Sequence, residues 1–102
     1  MSKYMLEPYN DSRKSFYGKA VVFEDRLEYG LVKRLFSYET EVAKITFNGE
    51  YTTYEYYGYY SQTTSRHQKE FFLQEGLDES MYNKLKKEGK IKLWKRNWLT
   101  KQ

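Results

Sequence analysis

The apolar residues of this chain change their repeat once, near Ser61. Before that point apolar and polar side chains alternate at the two-residue period of half-buried strands, and after it they fall at helical spacing. A chain whose run of strands precedes its helices builds α+β architecture: an antiparallel sheet of about four strands, then two helices, then a short C-terminal strand or tail. At 102 residues one domain is expected over 1–102, with enough buried surface for one modest core and no need of disulfides.

Residues 1–15 read as an extended lead-in, because Pro8, Asn10, Asp11 and Ser12 discourage a helix. Strands are expected over 19–24, 31–38, 40–47 and 50–60, with a turn at Asp25-Arg26 and 28–30. Asn48-Gly49 is the strongest hairpin signal, since a type I′ turn needs positive φ at both central residues. The hydroxyl residues from Ser61 onward suit an N-cap for a helix over about 64–75, with Gly76 as its C-cap. Asp78 caps a second helix over about 79–88, and Ile91, Leu93 and Trp94 make a closing strand between lysines.

Twelve tyrosines, within an aromatic fraction of 20%, exceed what a small core can hydrogen-bond, so several must lie at the surface. The 50–60 strand is their centre. Alternation sets Tyr54, Tyr56 and Tyr60 on one face with Gly58, and Tyr51, Tyr57 and Tyr59 on the other. Gly58 marks a bulge or a close approach of another group. Surface tyrosine suits protein interfaces and stacking on unpaired bases, although Tyr also simply favours strands.

The formal charge of +4 conceals an asymmetry: residues 1–79 sum to −3 and residues 80–102 to +7. The basic part, 80–102, carries Lys84, Lys86, Lys87, Lys90, Lys92, Lys95, Arg96 and Lys101 against Glu88. Such a stretch suits a polyanion, or is a solvated helix face running into a terminus.

Catalytic equipment is sparse. The chain has no cysteine, which removes thiol nucleophiles, iron–sulfur clusters and cysteine-rich zinc sites. His67 is the single histidine, with Glu70 three residues on to hold its ring, and it is expected at a surface or on a partner. No phosphate-binding glycine motif occurs, so no catalytic residue, metal or cofactor is expected. No run of about 18 apolar residues and no signal-like N-terminus appear, which predicts a cytoplasmic protein without membrane contact.

Lys14 to Phe23 faintly echoes the aromatic strand of an RNA-recognition motif, but that fold needs a helix between its first two strands and none is visible before Thr64. At the junction, Thr63, Thr64, Ser65 and Arg66 would bring hydroxyls, free N–H groups and a guanidinium to one helix start. This is either an anion site or a well-capped helix whose Arg66 pairs with a nearby acid.

Three blocks carry a resemblance: Lys14-Ser-Phe-Tyr-Gly-Lys-Ala20, Leu35-Phe-Ser-Tyr-Glu-Thr-Glu-Val-Ala-Lys-Ile45, and Tyr59-Tyr-Ser-Gln-Thr-Thr-Ser-Arg-His-Gln-Lys-Glu-Phe71 with Gly76. They resemble a widespread set of short, mostly uncharacterised proteins encoded by phages, plasmids and related elements of Gram-positive bacteria. The resemblance spans roughly residues 12–76 and leaves the basic end outside. It implies a non-enzymatic accessory protein of the host bacterial cytoplasm that inhibits a defence system. The sharp version is an anti-CRISPR protein that binds a Cas9-type nuclease or its guide RNA; a charge of +4 argues against acidic DNA mimicry. The alternative is an RNA- or single-stranded-DNA-binding accessory protein with no defence target. The candidate partner- or nucleic-acid-binding residues are Tyr54, Tyr56, Tyr57, Tyr59, Tyr60, Arg66, His67, Lys84, Lys86, Lys87, Lys90, Lys92, Lys95 and Arg96. A sheet edge beside the tyrosine-rich strand allows a homodimer, and a monomer is equally consistent.

Overall fold

Five antiparallel strands come first in the computed structural model: β1 (Ser2–Met5), β2 (Ala20–Leu27), β3 (Gly30–Ser37), β4 (Thr40–Phe47) and β5 (Tyr51–Tyr56). The helices α1 (Gln62–Gln74) and α2 (Glu79–Glu88) follow, and the backbone of β6 (Ile91–Arg96) returns along β5. Residues 2–28, 30–88 and 91–96 are described, the last of these by backbone alone. Spatial order equals chain order, as expected of a chain whose connections are short. The α+β expectation holds.

Both helices lie on one face of the sheet. Ala20, Val22, Leu35, Ala43, Ile45, Tyr54 and Tyr56 meet Phe71, Phe72, Leu77, Tyr82 and Leu85 in one buried cluster. Tyr54 packs on Phe72, and Tyr56 meets Tyr82 edge-on at 6.2 Å. Each fully buried large side chain, aliphatic or aromatic, contributes about 1.5–3 kcal/mol of transfer free energy.

The lead-in is more structured than its composition indicates. It supplies β1, paired with β2 from Ser2↔Glu24 to Met5↔Val21, and it sends Leu6 and Phe16 into the core. Between them the chain is clasped to α1. The buried Glu70 carboxylate accepts from the Tyr9 and Asn10 backbone N–H groups and from the Asn10 and Gln74 side chains. The expected Glu70–His67 partnership is therefore absent: Glu70 serves the loop.

Three turns differ from expectation. The two-residue turn with both φ positive is Tyr38-Glu39 (φ 50° and 72°), between the Ser37↔Thr40 pair. Asn48-Gly49 does lie in a hairpin, but in a three-residue loop where Asn48 Oδ1 accepts from the Tyr51 N–H at 2.7 Å. The Asp25-Arg26 turn is corrected as well, since β2 runs on to Leu27 and pairs with Gly30. Gly30 is required there because a Cβ would fall on the Phe47 carbonyl. In β4 a register shift beside Leu35/Phe36 turns the successive Val42 and Ala43 both inward.

The tyrosine strand is shorter than expected. β5 stops at Tyr56, and Gly58, at φ +103°, is not a bulge in the strand but the turn out of it, with open space where a Cβ would lie. Gln68 Nε2 fixes this exit by donating to the Gly58 and Val42 carbonyls. The β6 backbone also covers the edge of β5, so the exposed edge is β1, all of whose residues are exposed.

Candidate functional site

With both helices on one side, the other side of the β1–β3 region faces solvent. Register places Lys3, Phe23 and Arg34 in one row across β1, β2 and β3, and Val21 beside Phe36 in the next. Their neighbours Val22 and Leu35 point into the core, so alternation sends Val21, Phe23 and Phe36 outward. The Phe23 and Phe36 rings meet edge-to-face with centroids 5.1 Å apart. They floor a groove of about 790 Å³. Large apolar side chains on the uncovered face of a sheet are not explained by the core, which lies on the other side.

The groove is rimmed by charge of both signs. Lys3, Lys19 and Arg34 supply cations; Asp25 and Glu39 supply carboxylates. Lys3 Nζ stands 5.8 Å from the Phe23 centroid, a cation–π contact, and Lys19 is exposed. Arg34 leans toward Glu41 at 4.0 Å, the limit of an ion pair, and Glu41 also accepts from the Tyr57 hydroxyl at 3.1 Å. Burial, then the Glu41 charge, pushes the Tyr57 phenol up to about 12. Among the described residues no cation pairs with Asp25.

Tyr38 closes one end of the groove. Its position in the tight turn leaves it 53% exposed, with its ring centroid 5.9 Å from His67. Two rings set edge-to-face on the floor, a third ring at the end and cations at the rim are the parts needed to stack an unpaired base while neutralising its phosphates.

The residues singled out from the sequence are dispersed. Tyr54 and Tyr56 are 2% and 1% exposed and belong to the core, so they are withdrawn as contact residues. Burial, then the charge of Glu75, pushes the Tyr54 phenol up to about 12, and its hydroxyl donates to the Glu75 carbonyl. Tyr59 and Tyr60 are exposed beyond the end of β5, and Tyr57 is half-buried beside Glu41. Lys84, Lys86 and Lys87 are exposed on α2. Lys90 and the side chains of Lys92, Lys95 and Arg96 lie outside the described residues, although the β6 backbone sets Lys92 opposite Glu55 and Arg96 opposite Tyr51.

The helix junction is a capped helix. The Ser61 hydroxyl accepts from the Thr64 N–H, and Arg66 reaches both Asp11 oxygens at 3.0 and 3.2 Å. Burial alone raises the Asp11 pKa, but the Arg13 N–H and the Arg66 guanidinium outweigh it and hold the carboxyl below its usual value. Thr64 turns inward to Ser37, so the hydroxyls are not gathered for an anion.

His67 is a correction too. It is 1% exposed, 4.5 Å from the Phe16 ring by centroids, with Nδ1 2.8 Å from Ser37 Oγ. Burial lowers its pKa to about 4, against the opposing charge of Asp11, so the ring is neutral at ordinary pH. A sealed imidazole meets neither a partner nor a substrate.

The groove residues Lys3, Lys19, Phe23, Arg34, Phe36 and Tyr38 lie outside the candidate binding residues read from the sequence, although Lys19 and Phe23 belong to the Lys14–Phe23 stretch that echoes an RNA-recognition strand. The available signal is β2 itself, where Ala20 and Val22 alternate with Val21 and Phe23, so both faces are apolar and only one is covered. Among the described residues no helix is long and apolar enough to cross a membrane, and no group of three His, Cys, Asp or Glu side chains is placed to hold a metal ion. A family model described as a family of unknown function (DUF8033) matches residues 4–89. No curated protein and no solved structure matches the chain.

Proposed function

Since the chain belongs to this family of unknown function, DUF8033, we propose a function from its geometry: a non-enzymatic binding module whose open sheet face takes an unpaired RNA or DNA strand. The observation that carries it is the Phe23–Phe36 pair in a solvent-facing groove with Lys3, Lys19 and Arg34 at its rim. Bases stack on the rings and the three cations meet phosphates, while the exposed lysines of α2 add a diffuse attraction. A duplex keeps its base faces stacked on one another and offers the rings nothing. The protein would act in the cytoplasm of a bacterial host, where such strands are available.

The test is fluorescence anisotropy with labelled RNA and DNA strands of about a dozen nucleotides and the matching duplex, across a salt series. Tighter binding of the unpaired strands is expected, weakened by salt and by Phe23→Ala. Equal binding of the duplex, or none of any strand, contradicts the proposed function. The sharper version, an anti-CRISPR inhibitor encoded on a mobile element, makes guide RNA the bound strand; it rests on the sequence resemblance. Pull-down of a Cas9-type nuclease with and without guide RNA separates the two, since only the sharper version requires guide-dependent association.

A further inference from the structure

We propose that Asp25 makes the groove selective for guanine. The inference rests on the strand-binding reading above and adds a base preference to it.

Directions within the groove assign the roles. Across the strands, Phe23 is flanked by Lys3 and Arg34, its register partners on β1 and β3. Along β2, its two neighbours on the same face are Val21 and Asp25, each about 7 Å away. A base stacked on Phe23 therefore has cations to either side, where its phosphates run. Toward the strand ends it meets an apolar group one way and a carboxylate the other. Lys3, exposed on the edge strand, leaves the ring face for a phosphate as the base enters.

Asp25 is the polar group that a base edge meets. It is partly buried opposite Val32, itself 7% exposed, and no cation pairs with it among the described residues. A carboxylate without a partner against phosphates is unfavourable unless it receives hydrogen bonds. The Watson–Crick edge of guanine offers two adjacent donors, N1–H and N2–H, matching the two oxygens of one carboxylate. Adenine and cytosine set an acceptor beside their amino group, and uracil or thymine flanks its one donor with two carbonyls. Those three bases bring at least one oxygen or nitrogen lone pair against the carboxylate.

The experiment uses the full chain and labelled strands of about eight uridines in which one central position is G, A, C or U. Two charge-assisted hydrogen bonds predict that the G strand binds roughly tenfold tighter than the all-U strand. In Asp25→Asn the G-to-U ratio falls toward one, even if overall affinity rises as a negative charge is removed. Glu28→Gln, which removes an exposed carboxylate away from the groove, leaves the ratio at its wild-type value. Equal binding of all four strands by the wild type, or an unchanged ratio in Asp25→Asn, overturns the selectivity and leaves the groove standing as a strand site. Absence of binding by every strand overturns both.

Discussion

The Phe23 and Phe36 rings lie edge-to-face, 5.1 Å apart by centroids, on the side of the sheet opposite α1 and α2. Edge-to-face pairs in a core stabilise a fold; this one is partly exposed and leaves ring surface for another partner.

Removing either ring should affect binding far more than folding. Phe23→Ala and Phe36→Ala are each expected to weaken an unpaired strand by about 1–3 kcal/mol, with cooperative unfolding in urea retained. Anisotropy beside a urea titration checks both halves.

Lys19→Ala should lower affinity for RNA and DNA strands alike and flatten the dependence of log K on log salt by about 0.7, as for one phosphate contact on a single strand. A salt series on wild type and variant reads the difference directly.

The His67 imidazole should make the fold sensitive to acid. Its folded pKa is depressed from 6.5 to about 4, so below pH 6.5 the unfolded chain binds the proton first. Stability is therefore fully present above about 6.5 and falls as pH drops toward 4, by about 3 kcal/mol from this group. In His67→Gln this contribution to the slope disappears, as urea unfolding at steps of pH would record.

Two substitutions should separate the clasp from its surface pair. Glu70→Ala strands the Tyr9 and Asn10 N–H groups and is expected to cost ~3 kcal/mol, whereas Arg66→Ala breaks a partly exposed pair worth about 1 kcal/mol or less. Urea midpoints rank the two.

Neighbouring core tyrosines should respond oppositely to loss of their hydroxyls. Tyr54→Phe removes a bond to the Glu75 carbonyl and is expected to cost about 1 kcal/mol; Tyr56→Phe removes a buried hydroxyl with no partner among the described residues and should be neutral or stabilising. Thermal unfolding of the pair decides.

The order of strands and helices was legible because each period belongs to one type of element, and α1 and α2 carry their own caps at Ser61 and Asp78. The lead-in was not. β1 and the Leu6 and Phe16 anchors depend on a contact with Glu70 some sixty residues away, which no local pattern encodes. The tight turn at Tyr38-Glu39 was hidden for a related reason: pairing of β3 with β4 imposes positive φ on residues that do not favour it. Among the site residues, the tyrosines drew notice by number, yet Tyr54 and Tyr56 filled the core once Gly58 ended β5. The groove escaped because its exposed face depends on which side α1 and α2 cover. Alternation identifies two faces without saying which one is buried.

The most direct test of the strand-binding face is an amide-resolved NMR titration of the full chain with an unpaired RNA strand of about eight nucleotides. Shifts are expected to concentrate at residues 19–25 in and just before β2 and at 34–38 in and just after β3, with Lys3 beside them. Shifts confined to α2 around Lys84, Lys86 and Lys87, with the Phe23 and Phe36 amides unmoved, would contradict strand binding by this face.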